Sequence, residues 1–314
     1  TGNTLDGTQM AKLILGNIND KNKYNLFTGT VTGKEIKDLY NSVSAERIKR
    51  SHDKLVKELG IKDYLHAREN RVAIGEVEFG KAELKFLQKT RDVVVESLEQ
   101  RDLPDSYSAA LNIQELLQDI NNFGFEAPLS FPPFAKRFES VLLSLFKNNI
   151  LKQKFNGMSV VQVADFGWET DKRLKIMPHK NGGIYAEIAI PYELATNLGL
   201  KPGDVVGQEV DPKLLDLLGY RIPTQGKNSM IALKIVRVLP DNMGGIIQLP
   251  AEITTMMGSD FDVDKLFVHM HNTHVKNGVV MKDTKGRKGT ENELLDIHLA
   301  VVSNEAIEVQ SQIA

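Results

Sequence analysis

The sequence contains no cysteine. That excludes disulfides, thiolate zinc sites and cysteine nucleophiles, and it fits a reducing compartment. Long apolar runs are missing too: no stretch approaches the roughly 20 apolar residues that span a bilayer, and the N-terminus lacks a signal-peptide pattern, so no membrane partner is expected. Neither sign of charge is in excess. Lys and Arg number 39 against 41 Asp and Glu, the net charge is −2 and the isoelectric point is near 6.4, so no global basic field points to nucleic acid. A local basic channel is still compatible with that total. Tryptophan occurs once, as Trp168, and is expected to pack rather than stack on bases. What remains is an ordinary composition, 41% hydrophobic and 25% charged, in 314 residues, enough for two domains or one large one. The chain starts at Thr1 without methionine and ends in "EVQSQIA", and is expected to be part of a longer polypeptide.

The first half reads mostly as helix. Thr4 to Ile18 is one candidate, and in "KEIKDLYNSVSAERIKRSHDKLVKELG" the residues Ile36, Leu39, Tyr40, Val43, Ile48, Leu55, Val56 and Leu59 recur near helical spacing, with Gly60 as C-cap. Leu84 to Leu98 and Ala109 to Ile120 also look helical. "SFPPF", Ser130 to Phe134, interrupts the chain, and "FAKRFESVLLSLFKNNIL" makes a further amphipathic helix. Near Lys152 the period changes. "MSVVQVADFG", "RLKIM", "GIYAEIAI", "DVVGQEV", "SMIALKIVRVL" and "GGIIQL" are short β-rich runs between Gly, Pro, Asn and Asp, which predicts a compact barrel or sandwich. Two short helices, in "PYELATNLGL" and "PAEITTMMG", carry proline at N1 and glycine at the end. The expected fold class is therefore α+β: a helical scaffold over 1–150, a β-barrel over 151–275 and a C-terminal extension over 276–314.

Just after the second of these helices comes "SDFDVDKLFVHM", in which Asp260, Asp262 and Asp264 stand at alternate positions. In an extended backbone that spacing puts three carboxylates on one side, where like charges repel. A divalent cation resolves the conflict. Magnesium is hard, prefers oxygen donors and keeps positions for water and phosphates, which suits three carboxylates with no thiolate. A solvated acidic turn is the bland alternative, but Met256, Met257, Val263, Leu266, Phe267 and Val268 flank the triplet with apolar residues. An EF-hand loop would need glycine and glutamate where Lys265 and His271 stand, and fails. The nearby "HMHNTH", with His269, His271 and His274, has no cysteine or well-spaced fourth ligand for zinc and reads as a barrel strand running into a loop.

The segment "GYRIPTQGKNSMIALKIVRVLPDNMGGIIQLPAEITTMMGSDFDVDKLFVH" resembles the active-site segment of the largest, β′-type, subunit of multisubunit RNA polymerases. In that family an Arg-x-Pro-Thr stretch precedes two strands, a short helix and an aspartate motif that carries the catalytic magnesium on a double-psi β-barrel. Here "RIPT" is Arg221 to Thr224 and "DFDVD" is Asp260 to Asp264; "KQKFNGMSVVQVADFG" and "IAIPYELATNLGLKPGD" resemble earlier parts of the same barrel. The resemblance spans roughly residues 152–272 and is specific in its last fifty. Three positions depart from the family: Val263 replaces its central glycine, Gly258 replaces an asparagine that helps sense the ribose hydroxyl, and Gly226 replaces a histidine. A β-branched residue in place of that glycine is most like the divergent single-chain polymerases of crAss-like bacteriophages, which are similar to RNA-silencing polymerases.

The resemblance implies that Asp260, Asp262 and Asp264 hold Mg2+, which would lower the pKa of the RNA 3′ hydroxyl and orient it on the α-phosphate, while a second ion arriving with the triphosphate would stabilise pyrophosphate. Arg221 would contact the ribose of the incoming nucleotide, and Lys227 and Lys265 would contact phosphates or the nucleic acid backbone. The implied partners are a nucleic acid template, DNA favoured over RNA, the RNA product, nucleoside triphosphates and a second double-psi barrel that supplies lysines, from the same polypeptide or a partner chain. The implied location is the host cytoplasm or the virion. Two other functions fit parts of the sequence: a different magnesium-dependent phosphoryl-transfer enzyme, which leaves "RIPT" unexplained, and a non-enzymatic structural module of a phage particle.

Overall fold

The structure is a computed structural model, and it describes residues 4–6, 8–26, 29–60, 62–63, 143–144, 146–165, 173–179, 183–207, 210–222, 229–258 and 264–313. The chain divides into two compact units, one of Thr1–Arg47 with Gln153–Ala314 and one of Ile48–Lys152. The change of period near Lys152 thus marks one crossing between units. A second crossing lies inside a helix near Arg47, and the N-terminal residues belong with the barrel.

Those N-terminal residues form β1 (Thr4–Asp6), α1 (Thr8–Asn17), a hairpin of β2 (Lys23–Leu26) and β3 (Gly29–Thr32), and α2 (Gly33–Leu59). The expected helix from Thr4 begins later because Thr4 to Asp6 pair antiparallel with Asn156 to Lys154, and ladder bonds outweigh a weak local preference. At the start of α2 the Thr32 backbone N–H donates to Glu35 Oε2 at 2.7 Å and the Glu35 N–H donates to Thr32 Oγ1 at 3.3 Å. This is a capping box, and the Thr32 N–H holds the Glu35 carboxyl below its ordinary pKa. Ile36, Tyr40 and Val43 are buried at helical spacing, and Gly60 ends the helix with φ of +68°. The expected helices at Leu84 to Leu98 and Ala109 to Ile120, the "SFPPF" break and Trp168 lie outside the described residues. Of the helix expected from Phe134, the described end is a π-helical turn, Lys147–Leu151.

The strand-rich half forms β4 (Lys154–Asp165), β5 (Ile176–His179), β6 (Gly183–Ile190), α3 (Tyr192–Ala195), β7 (Asp216–Arg221), β8 (Met230–Val238), β9 (Ile246–Pro250), α4 (Ala251–Met256), β10 (Lys265–Met270), a hairpin of β11 (Thr273–Lys276) and β12 (Val279–Lys282), and α5 (Gly286–Ile313). Six strands close a ring in the order β4, β10, β7, β8, β6, β9, with β9 returning to β4. The β4–β9 and β6–β8 ladders are parallel and the remaining pairings in the ring are antiparallel, so the barrel is mixed. The α+β class and the closed barrel are as expected. Among its described residues "DVVGQEV" forms no strand: Val205 makes an isolated bridge to Arg237 and is 75% exposed, while Val206 and Val210 pack against the barrel core. Pro191 and Pro250 stand at N-cap rather than N1, with ψ of 150° and 138°, because each continues directly from a strand whose extended ψ it keeps.

Alternation along the strands sorts apolar side chains into two cores. Inside the barrel lie Val160, Ile188, Leu217, Leu233, Ile235, Ile247, Leu249, Leu266 and Val268. Outside, Phe155, Leu218 and Tyr220 pack with Ile14, Ile36 and Tyr40 and with Leu294, Leu295 and Val301 of α5. At Gly157 no larger residue fits. A Cβ on Gly157, which faces His269 across the β4–β10 ladder, would lie 1.9 Å from the Val268 carbonyl oxygen. That close approach sets β10 in place, and with it the residue just before the strand, Asp264.

Candidate functional site

Asp264 precedes β10, Arg221 ends β7, and these strands pair antiparallel with Leu266 opposite Arg221. The register therefore brings together two residues far apart in sequence. Arg221 Nη2 lies 3.0 Å from Asp264 Oδ1, and the two side chains are only 16% and 15% exposed. Gln162 on β4 closes the arrangement from the other side: its Nε2 donates to Asp264 Oδ2 at 3.3 Å and its backbone N–H donates to the Asp264 carbonyl at 3.0 Å. An ion pair so little exposed is screened weakly by salt, and removing one partner leaves a charge that water solvates poorly.

Arg221 has a second task. Its Nη1 donates to the carbonyls of Gly258, at 2.5 Å, and Met257, at 3.4 Å. These oxygens stand at the C-terminal end of α4, where carbonyls lack intrahelical partners and carry partial negative charge. Gly258, with φ of +65°, is in the left-handed conformation that ends the helix. One guanidinium thus fastens the chain on both sides of residues 259–263, at Gly258 before them and at Asp264 after them.

The structure brings Arg221 and Asp264 into contact, and sets Lys265, exposed, at the head of β10. Asp260, Asp262 and Lys227 lie outside the described residues. Gln162 was not legible as a site residue, since only the β4–β10 register makes it a neighbour of Asp264. Among the described residues no group of three or more His, Asp or Glu side chains is placed to hold a metal. As donors, three aspartates are hard oxygen ligands suited to Mg2+, and each Asp264 oxygen, with one bond shown to it, keeps acceptor capacity for a cation.

The three histidines of "HMHNTH" go to different places. His269 is buried between Tyr220, stacked at 5.2 Å, and Phe155, edge-on at 5.2 Å. Phe155 is also edge-on to His298 of α5 at 5.5 Å, and Tyr40 lies tilted against His298 at 5.5 Å. Both imidazoles are fully buried with neither ring nitrogen hydrogen-bonded to any described residue. Burial pushes both down to about 3, helped at His269 by the neighbouring His298. His271 instead has its Nε2 2.9 Å from Asp296 Oδ1, and Lys282 Nζ donates to the same carboxylate at 2.7 Å. Burial works to raise the Asp296 pKa, but His271 and Lys282 outweigh it and hold the carboxyl below its ordinary value. His274 pairs with Asp283 at 2.6 Å. These contacts fix the hairpin and α5 to the end of β10, a structural role consistent with the strand-into-loop reading.

No protein-family model matches the chain, and no curated protein matches its sequence. No helix among the described residues is long and apolar enough to cross a membrane.

Proposed function

We propose that the chain carries the catalytic barrel of a phage-type, DNA-directed RNA polymerase, which transfers a nucleotide from a nucleoside triphosphate to an RNA 3′ end with magnesium. The observation that carries this reading is the contact between Arg221 and Asp264 on adjacent strands of a closed barrel. It brings the first residue of "RIPT" and the last of "DFDVD" together at one end of the barrel. The parallel β4–β9 and β6–β8 ladders within a six-stranded ring also favour the double-psi form of the barrel.

In this function Asp260, Asp262 and Asp264 are the ligands of Mg2+, which when bound stabilises charge on the reacting phosphate and makes the 3′ hydroxyl a better nucleophile. Gln162 and Arg221 orient the Asp264 carboxylate, so its direction is fixed before substrate arrives. Arg221 is proposed to contact the ribose of the incoming nucleotide; Lys265 and Lys227 are proposed contacts to phosphates or the nucleic acid backbone. A second double-psi barrel, in the same polypeptide or a partner chain, would supply the remaining phosphate-binding lysines. The proposed place of action is the host cytoplasm, with or without packaging in the virion.

Primer extension tests the proposal, on DNA and RNA templates, with the polypeptide that carries this chain, magnesium and nucleoside triphosphates. Template-dependent RNA that disappears when Asp260, Asp262 and Asp264 are changed to alanine is the expected result. RNA synthesis that survives the triple substitution, or none from the unaltered protein, overturns it.

A further inference from the structure

Away from the aspartates, the hairpin of β11 and β12 and the start of α5 concentrate positive charge. Between His274 and Lys288 five basic residues, Lys276, Lys282, Lys285, Arg287 and Lys288, stand against one acidic residue, Asp283, in a chain whose net charge is −2. The fold sorts the five into two sets. Lys282 Nζ donates to Asp296 at 2.7 Å and Arg287 Nε to Glu291 at 2.8 Å, so these two hold the frame. The other three are exposed. Lys276 and Lys285 have no side-chain partner among the described residues, and Lys288 has only a loose pair, at 3.9 Å, with an Asp283 carboxylate whose other oxygen is taken by His274 at 2.6 Å.

The surface is preformed. At its tip Asn277 and Gly278, with φ of +53° and +77°, make the two-residue turn whose twist matches the strands. At its base the buried Asn292 of α5 donates from Nδ2 to the carbonyls of Asn272 and Asp283, at 2.9 and 2.8 Å, and so clamps both ends of the hairpin. Val280 packs on the barrel core and Lys282 on Asp296, which turns the opposite face, with Lys276, Val279 and Met281, outward. Residues 272–288 include no Phe, Tyr or Trp, so they offer neither the aromatic anchors of a membrane surface nor the stacking platform of a single-strand binder. Exposed cations on a rigid ribbon instead match the closely spaced phosphates of a duplex, one charge per roughly 1.7 Å of axis.

We infer that Lys276, Lys285 and Lys288 form a docking surface for the phosphate backbone of a nucleic acid duplex, at the far end of β10 from Asp264. The six residues of β10 separate the two places by about 20 Å. In its choice of partner the inference rests on the proposed function; in its residues it does not touch the aspartates.

Fluorescence anisotropy of a short labelled DNA duplex with the full chain, in EDTA and between about 50 and 200 mM salt, tests this. Replacing Lys276, Lys285 and Lys288 together by glutamine is expected to weaken binding by about tenfold or more at the lower salt and to flatten the slope of log affinity against log salt by about 2 to 3. Arginine at the same three positions keeps the charge and is expected to bind as the unaltered protein does. An unaltered protein that binds no duplex, a glutamine variant that binds as well as the parent, or an arginine variant as weak as the glutamine one overturns the inference. So does poly-glutamate that binds more tightly than the duplex, since it would make an acidic protein the partner. Duplex binding is expected to survive the change of Asp260, Asp262 and Asp264 to alanine. RNA synthesis without lysine-dependent duplex binding thus refutes the docking surface alone, and such binding without RNA synthesis refutes the polymerase reading alone.

Discussion

Acid should weaken this protein from well above the ordinary carboxylate range. His269 and His298 are buried without hydrogen-bonded partners among the described residues and are held near 3, against an ordinary value of 6.5. The unfolded chain therefore binds protons that the folded chain refuses. Stability from these two groups is complete above pH 6.5 and is lost as pH falls from there toward about 3. Each imidazole contributes a slope of about 1.4 kcal/mol per pH unit in that window, so at pH 5 each has cost about 2 kcal/mol and the pair about 4. Against a total stability of about 5–15 kcal/mol, that is a large fraction. Asp296 has its folded value lowered, so its contribution is present above 3.8 and is lost below it, outside a comparison of pH 7.5 with pH 5. Urea unfolding at these two pH values is the assay. His298→Phe, which keeps an aromatic ring against Phe155 and Tyr40, should remove about half of the pH dependence and be close to neutral at pH 7.5. A difference below about 1 kcal/mol between the two pH values in the unaltered protein, or an undiminished slope in His298→Phe, would refute the account.

Two further outcomes follow from packing and charge. Gly157→Ala puts a Cβ against the Val268 backbone and should cost about 1–3 kcal/mol or more by urea unfolding; stability unchanged from the parent would show that β4 and β10 do not approach as closely as described. Asp296→Asn leaves His271 and Lys282 without their carboxylate and should cost about 1–3 kcal/mol at pH 7, with the loss shrinking as pH falls below 3.8, where the carboxylate of the parent's unfolded chain takes up a proton.

Local pattern carried part of the fold. The β-branched runs of β4, β6, β8 and β9 and the helical spacing of Ile36, Tyr40 and Val43 were legible because each element buries a face with its own period. β7 was hidden because "DLLGYR" carries an internal glycine and leads straight into "RIPT", and its strand character comes from β8 and β10 on either side. α5 was hidden for another reason: residues such as Thr290, Glu291, Asn292 and His298 are buried along with its apolar ones, so no clean amphipathic stripe marks it. In the candidate site, Asp264 stood out from its neighbours in sequence as one of three alternating aspartates. Its anchors did not, because Gln162 and Arg221 reach it through strand register alone. The three histidines make the same point: close together in sequence, they stand on strand, loop and hairpin with separate neighbours.

The position of β10 in the ring has a consequence for how the protein is made. It is the last barrel strand in the sequence, yet it sits between β4 and β7, and the ring cannot close before it arrives. On a ribosome, β4 and β7 would wait as open edges until residues 265–270 have emerged, with non-local pairing making closure slow. Asp264 heads that strand. Barrel closure and the meeting of Asp264 with Arg221 and Gln162 are thus one event, so a nascent or truncated chain that stops short of β10 acquires neither the finished barrel nor the assembled site.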